Sequence, residues 1–504
     1  MKILLTTLNS KYVHSNLALK YLYASAEKSR NAIDIQEFTI NNEEDYILTE
    51  FLRKSYDVIC FSCYIWNVDR TLCLAETLKK ARPEIKILLG GPEVSYDVIP
   101  FMSQHKFIDF IISGEGEAPF SELAEALIED TREFEKIRGL TYRSEGKIFV
   151  NPPAPPLQFE SVPFPYLSLV CEEDKIMYYE SARGCPFQCS YCLSSVDRKV
   201  RSLSMERVKS DLSYFIYKKV KQVKFIDRTF NWDKRRCFEI MKYLIVSDNG
   251  ETNFHFEMCG ELFDEELLQL LSTARPGLFQ FEIGVQTTNE NALRACNRKS
   301  DLPKLSENVR RLVEMGNIHI HLDLIAGLPY EDYPSFRKSF NEVYSLKGHH
   351  LQLGFLKLIK GSPLREQAEE HGYLYRTRAP YEVISNKYIS SLAMIRLKKI
   401  ENLLELYYNR GGFHRTLDYS IGELAETPFD FYEELADYYY LKGFQHKSHK
   451  KEDLYRIFLL YAGWKERFTP NIKDKIKELL ILDMQDTLNP EAIKKFERKG
   501  WEIL

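Results

Sequence analysis

Short apolar runs alternate with stretches of helical period along the first ~125 residues, and again between residues 177 and 361. This alternation constrains the fold more than any other feature of the chain. A strand followed by a helix and another strand implies a crossover. Crossovers join parallel strands, whose sheets need helices on their faces. The chain has 504 residues, more than one core accommodates, so several domains are expected.

In the first block KILLTT (2–7), IDIQEFT (33–39), YDVICFSC (56–63), KILLGG (86–91) and IDFIISGEGE (108–117) read as strands. Helices are expected over 16–29, 69–82 and 119–130. The fold class is α/β, opening with a Rossmann-like domain over 1–150 whose ligand would sit at the carboxyl ends of the strands. A proline-rich linker follows over 151–170 (NPPAPPLQFESVPFPY at 151–166), unfit for helix or sheet interior. The second block, MYYES (177–181), VKFIDRTF (223–230), NFHFEMCG (253–260), LFQFEIGV (278–285), HIHLDLIAGLP (319–329) and HLQLGFLKLIKG (350–361), supplies six strands. Six suggest a partial (β/α)6 barrel over 171–374. From 375 to 504 strand signals stop. EVISNKYISSLAMIRLKKIENLLELYYNR (382–410), PFDFYEELADYYYLKG and TPNIKDKIKELLIL have helical period, and a C-terminal helical domain is expected with its tyrosines as core.

With 44% hydrophobic and 28% charged residues and a net charge of −4, the chain does not indicate nucleic acid or an anionic membrane as partner. The C-terminal region holds 22 Lys and Arg against 20 Asp and Glu, a near balance that gives no basic patch by count. MKILLTTLN turns polar too soon for a secretion signal, and no apolar run nears the ~20 residues that span a bilayer. A soluble cytoplasmic protein with no membrane partner is expected.

Ten cysteines are present. Most, Cys171 among them, stand alone in apolar runs, where a free thiol behaves as a small hydrophobe. Only Ser181-Ala-Arg-Gly-Cys185-Pro-Phe-Gln-Cys189-Ser-Tyr-Cys192 is spaced for joint work, as C-x3-C-x2-C. Three thiolates around an iron–sulfur cubane leave one iron open to bind substrate. A zinc site would need a fourth ligand at ligand spacing. The next cysteine is Cys237 and the next histidine His255.

C-x3-C-x-Tyr-Cys after the first strand of a (β/α) barrel resembles the radical S-adenosylmethionine superfamily, and residues 177–361 resemble it throughout. That resemblance implies a [4Fe-4S] cluster on Cys185, Cys189 and Cys192. Its open iron would chelate S-adenosylmethionine, which an electron splits to a 5′-deoxyadenosyl radical. It also implies that Tyr191 packs near the adenine. Asp227 would stand where the family binds the methionyl amino group, although the Gly-Gly-Glu form is absent. Glu282 and Gln286, with Glu257 and Asp323, would meet the carboxylate or ribose of the cofactor. For each of these carboxylates a surface or salt-bridged role stands beside the ligand role. Arg183 could place a cation beside the cluster, while Gly184 is equally explained by loop geometry.

The first strand lacks Gly-x-Gly-x-x-Gly, which disfavours NAD. Instead SCYIWN (62–67), Gly90-Gly91-Pro92 and Gly114-Glu115-Gly116-Glu117 follow the third, fourth and fifth strands. These loops resemble the cobalamin-binding domain ahead of the barrel in one radical S-adenosylmethionine class. The resemblance implies cobalamin contacts from Ser62, Tyr64, Trp66, Asn67, Gly90, Gly91, Gly114, Glu115 and Gly116. Asp-x-His-x-x-Gly is missing and His14 in YVHSN does not match it, so cobalt would have no histidine ligand. Tyr64, Ile65 or Trp66 would lie nearest its lower face. Trp66 could equally be a core aromatic. With ELYYNRGGF (405–413), the whole chain looks like a class of cobalamin-dependent radical enzymes with a helical C-terminal domain.

The resemblance implies methyl transfer to an unactivated carbon of an unidentified organic substrate, with an external electron donor of flavodoxin or ferredoxin type. A non-methylating cobalamin radical enzyme, performing ring contraction or cyclisation, shares the same loops. A methylthiotransferase would need a second cluster. Only Cys60, Cys63 and Cys73 are available for it, on a strand and a helix that should not bring them together.

Overall fold

The structure, a computed structural model, describes residues 1–169, 172, 174–464 and 469–500. Val170 at the end of the linker, Cys171, and the last four residues of the helical domain lie outside the described residues.

The N-terminal sheet has seven strands: β1 (Ile3–Asn9), β2 (Ile33–Thr39), β3 (Val58–Ser62), β4 (Lys86–Gly90), β5 (Phe110–Ile112), β6 (Leu140–Ser144) and β7 (Lys147–Val150), in the order β2-β1-β3-β4-β5-β6-β7. The first five are parallel, and β1 is buried at every position because helices cover both faces. One face packs Leu4, Ile59 and Leu89, the other Leu5, Val58 and Leu88. From β1 the chain moves to β2 on one side and then to β3 on the other. This reversal opens a crevice at the carboxyl ends of the strands. The strand–helix alternation in the sequence accounts for five of these strands. The antiparallel hairpin β6–β7 extends the sheet, turning through Glu145 (φ 48°) and Gly146 (φ 77°), a left-handed pair suited to a two-residue turn.

The second unit begins with β8 (Met177–Tyr179). A short ladder, β9 (Ala182–Arg183) with β10 (Arg201–Ser202), brackets the cysteine loop. Then come β11 (Gln222–Phe225), β12 (Asn253–Met258), β13 (Phe279–Gln286), β14 (His319–Ala326) and β15 (His350–Phe355). The order β15-β14-β13-β12-β11-β8 is parallel throughout: a six-stranded partial barrel. Along β13 the odd positions Phe279, Phe281, Ile283 and Val285 are buried against helices. The even positions Gln280, Glu282, Gly284 and Gln286 are only half-buried, on the other face. Period-2 alternation therefore places the polar residues on the inner face. β11 ends at Phe225, so Asp227 lies on a loop and not on a strand.

The C-terminal region is helical from Ser391–Leu404 onward, with helices His414–Leu424, Pro428–Leu441, Lys451–Trp464, Pro470–Thr487 and Pro490–Gly500. Tyr407, Tyr432, Tyr438 and Tyr439 are buried in its core. The stretch 382–410 is not helical throughout. β17 (Val383–Ser385) pairs with β16 (Leu374–Tyr375) on one side, and on the other Val383 N donates to Leu356 O and Leu358 N to Tyr381 O, drawing the chain into an extended form. A π-helical turn, Glu405–Asn409, aims the Asn409 amide at the edge strand β15. There it accepts from Leu351 N (2.9 Å) and donates to Leu351 O (3.0 Å). Among the described residues no helix is long and apolar enough to cross a membrane.

Candidate active site

The cysteine loop leaves the carboxyl end of β8 and is tied down by backbone bonds. Cys185 N donates to Asp197 O, Ser190 N to Cys296 O, and Leu364 N to Ser190 O. Gly184, at φ 101°, lets the chain pass Lys199 O, which a Cβ would approach to 2.7 Å. Cys185 and Cys189 are buried and Cys192 half-buried, all free thiols. Burial pushes the Cys185 thiol up, and the nearby Cys192 and Cys189 push it further. No three His, Cys, Asp or Glu side chains among the described residues are close enough together to hold one metal ion. Cubane thiolates each bind a different iron, so they stand farther apart than the ligands of a single ion.

The cation beside this loop is Arg298, a residue the sequence reading did not single out. Its Nη1 lies 3.8 Å from Cys189 Sγ and 3.4 Å from the Tyr191 hydroxyl, and its Nη2 donates to Gly284 O. Arg183, expected in that role, turns away. It is held by Glu180 (2.8 Å), Glu117 (2.9 Å) and Glu115 (3.1 Å) and lies over the Phe159 ring. Three carboxylates outcompete neutral or buried thiols for a guanidinium.

Asp227 is also committed locally. Its two oxygens accept from Ser181 N (2.7 Å) and Ser181 Oγ (2.6 Å), and burial raises its carboxyl to about 7. Glu282 is salt-bridged: it bonds His255 and Lys224, each at 3.1 Å, and those partners, His255 first, pull it down to about 2. Gln286 differs. A bulge between Gly284 and Gln286 gives it φ 72°, and its Oε1 is buried without a partner. Asp323 Oδ1 and Arg298 Nε are likewise buried and unsatisfied, and burial raises Asp323 to about 8. Burial also raises Glu257. Buried polar atoms without partners mark where a polar ligand would complete the bonding.

Between the carboxyl edge of the N-terminal sheet and the barrel lies a cavity of about 880 Å³. Ser62, Gly90, Gly91, Gly114, Glu115 and Gly116 stand on its wall. So do Tyr64 and Trp66, whose rings stack at 4.4 Å and 5°. Trp66 is 45% exposed and donates to Leu8 O, so it is not a core aromatic. Asn67 does not reach the cavity. Its amide turns inward to Leu8 O, Ser62 O and Thr7 Oγ1 and accepts from Tyr64 N, which holds the loop shape. Glu115 is spent on Arg183 and Arg201 rather than left free. The barrel contributes Tyr178, Lys224, Arg228 and Glu257 to the same wall. The Tyr178 hydroxyl bonds His14 Nδ1 at 2.6 Å. Neither Arg298 nor Tyr178 belongs to a local motif, so only the packing reveals them.

Cys60 and Cys63 are buried in and just after β3, where burial pushes both thiols far up, and exposed Cys73 meets Glu44. They do not assemble a second cluster site.

The residues fit the groups they suggest. Gly114, at φ 84°, has nothing within 4 Å of a Cβ position, and together with Gly90 and Gly91 it forms a side-chain-free rim around a large cavity. The three thiols leave the fourth coordination position of a cubane to a small molecule. The unsatisfied Gln286, Asp323 and Arg298 atoms offer that molecule acceptor and donor positions.

Comparison with known proteins agrees. Residues 3–124 match the B12 binding domain, 179–343 the Radical SAM superfamily, and 369–502 a protein family of unknown function, DUF4080. The cobalamin-dependent radical SAM methyltransferase TokK of Streptomyces tokunonensis is 27% identical over 345 residues, 63% of this chain and 49% of that protein. The chain spans about half the length of the curated relatives it matches first. The cobalamin-dependent S-adenosylmethionine radical enzyme OxsB, with aqua-cobalamin bound, superposes with a TM-score of 0.64 at 13% identity, covering 99% of this chain and 84% of that one. The radical S-adenosylmethionine methyltransferase TsrM from Kitasatospora setae, with cobalamin and a [4Fe-4S] cluster bound, gives 0.60 at 18% identity, covering 75% and 81%.

Proposed function

We propose that this chain, a B12-binding domain joined to a radical SAM domain and homologous to cobalamin-dependent radical SAM methyltransferases, transfers a methyl group to an unactivated carbon of an organic substrate. The observation that carries this reading is the shared cavity. Its wall joins the glycine loops of the N-terminal sheet to Arg183 and Leu193, which flank the three cysteines.

Cys185, Cys189 and Cys192 would hold a [4Fe-4S] cluster, and Gln286, Asp323, Glu257 and Tyr191 would surround S-adenosylmethionine. The Tyr64–Trp66 stack and the Gly90-Gly91 and Gly114–Gly116 loops would seat cobalamin. Together these groups supply reductive cleavage of a sulfonium and a corrin-borne methyl group. The protein binds, orients and shields. Arg298 places a permanent positive charge beside Cys189, stabilising thiolate charge. Asp227 fixes Ser181 at the root of the loop. The stacked Tyr64 and Trp66 rings would offer a corrin a flat surface to rest on. A cofactor seated between the two domains would shield a reactive carbon from water. An electron donor of flavodoxin or ferredoxin type would serve the cluster, in the reducing cytoplasm where free thiols persist.

A second reading is radical chemistry without methylation, which the same cofactor loops would serve. Anaerobic reconstitution tests both. Uptake of four irons and one corrinoid, with a labelled methyl group moving from S-adenosylmethionine to a candidate substrate, supports methyl transfer. Cobalt uptake and deoxyadenosine formation without label transfer, across a substrate panel that is consumed, favours the second. No cobalt uptake removes both.

A further inference from the structure

We propose that Arg183 and Arg201 are positioning residues that clamp the cluster loop to the cobalamin loop, so that loading one cofactor strengthens the hold on the other. This rests on the cobalamin reading above.

The geometry is a closed circuit across the domain junction. Arg183 lies two residues before Cys185 and donates to Glu115 and Glu117, which sit in the Gly114–Glu117 loop of the N-terminal domain. Arg201, on the strand that closes the cysteine loop, grips Glu115 at 2.7 and 3.0 Å and Asp197 at 2.8 Å. The Asp197 carbonyl accepts from Cys185 N, which completes the ring. A further donor fixes Glu115: Leu157 N of the linker donates to its Oε2 at 2.7 Å. Both ends of the cysteine loop are thus bonded to one carboxylate at the rim of the cavity. The groups are mostly buried: the side chains of Arg183, Arg201, Glu115, Glu117 and Glu180 are all under 20% exposed.

Buried, bidentate guanidinium–carboxylate contacts are directional and little screened by salt. A shift of the cysteine loop on cluster loading must therefore move Glu115, and ordering of the Gly114–Glu117 loop by a corrin must order the root of the cysteine loop. Two sites that bias one shared element are thermodynamically coupled, and the coupling is reciprocal. Elsewhere at the domain junction, Glu93 of the GGPE loop meets Lys360 (3.0 Å) and Tyr381. That contact reaches the cysteine loop only indirectly, through the segment after Lys360 whose Leu364 N donates to Ser190 O, and it carries no paired charges onto the loop itself.

The test is a linkage measurement on the full chain. Hydroxocobalamin affinity is titrated by absorbance with the cluster loaded and after its removal by a chelator. Chelator-driven iron release, with and without hydroxocobalamin, gives the reciprocal readout. The wild-type chain is expected to bind hydroxocobalamin roughly tenfold more tightly when the cluster is loaded, within the usual range of such couplings. It should also lose iron more slowly with the corrinoid bound. Arg183→Gln and Arg201→Gln should bring the affinity ratio close to one, with Arg183→Lys between. A merely structural role would weaken both affinities and leave their ratio intact. The proposal is overturned if either Gln variant keeps the wild-type ratio, or if the wild-type ratio is itself one. Absence of corrinoid binding in every form overturns the cobalamin reading instead, and this inference with it. Should Arg183→Gln fail to fold with three carboxylates left unpaired, Arg201→Gln, which leaves Arg183 in place, decides the question.

Discussion

Arg298 and Cys189, 109 positions apart in the chain, meet at 3.8 Å, guanidinium nitrogen to thiol sulfur. This contact places a permanent positive charge at the cluster loop. The same guanidinium reaches Tyr191 and Gly284 O, so it also links the loop to the bulge that turns Gln286.

Removing that charge while keeping the side-chain bulk, as in Arg298→Met, should make the cluster harder to reduce. One charge about 4 Å away at an effective dielectric near 20 is worth about 4 kcal/mol, so a negative shift on the order of 100 mV is expected. A redox titration followed by electron paramagnetic resonance reads it. An unchanged potential would mean that Arg298 is a purely structural bond.

Replacing Cys185, Cys189 or Cys192 by Ala should reduce reconstituted iron well below four per chain and abolish S-adenosylmethionine cleavage under reducing conditions. Cys60→Ala and Cys73→Ala should leave the iron content unchanged, because their thiols lie on β3 and an exposed helix face. Iron and acid-labile sulfide analysis distinguishes the two groups.

Gly90 and Gly91 are adjacent but unequal. A Cβ on Gly91 would come within 2.5 Å of Cys63 O at φ 107°, whereas on Gly90 its nearest neighbour is Ile112 O at 3.7 Å. Gly91→Ala should lower stability by about 1–3 kcal/mol through backbone strain. Gly90→Ala should fold normally and weaken corrinoid binding alone. Thermal melts beside hydroxocobalamin titrations check the contrast.

The inner face of the barrel carries a run of imidazoles. Burial and the neighbouring histidines hold His321 down near 3 and His319 near 4. A histidine whose folded value is depressed binds its proton first in the unfolded chain. Below about 6.5 the unfolded state therefore takes up more protons, and stability falls as the pH drops from about 6.5 toward 4. Asp323, raised to about 8, acts in the opposite sense: its contribution is present at low pH and is lost as the pH rises through 8. Comparing melts of wild type and His321→Gln across pH 4–7 isolates the histidine effect. The variant should lose less stability on acidification, and identical slopes would contradict this.

Asn409 closes the open edge of the barrel by pairing its amide with both backbone groups of Leu351. Asn409→Ala leaves those groups unpaired, and a loss of about 1–3 kcal/mol is expected. Amide exchange should rise first in β15.

Much of this was legible because it is local. The C-x3-C-x2-C spacing lies within one loop, and the strand–helix alternation repeats within windows of a few residues. The cysteine loop, the parallel sheets, the three loops at the strand ends, two of them glycine-rich, and the helical C-terminal region could therefore be read directly. The β6–β7 hairpin is hard to read because its strands have only five and four residues and β7 is mostly exposed. The extended segment at 383–385 was missed because its pairing with the loop after β15 overrode a helical pattern.

Periodicity assigns a residue to a face but does not choose its partner. From sequence, Arg183 was an arginine near the cysteines, Arg298 belonged to no motif, and Asp227, Glu282 and Asp323 were three acids near strand ends. Only the tertiary structure gave Arg183 to three carboxylates, Arg298 to Cys189, Asp227 to Ser181 and Glu282 to Lys224 and His255, leaving Asp323 and Gln286 unsatisfied. The physical reason is that pairing energies between charged groups depend on separation and burial, and packing sets both between segments tens to hundreds of residues apart. The sequence determined which cofactor chemistry the chain is equipped for. The fold decided which side chains remain free to meet it.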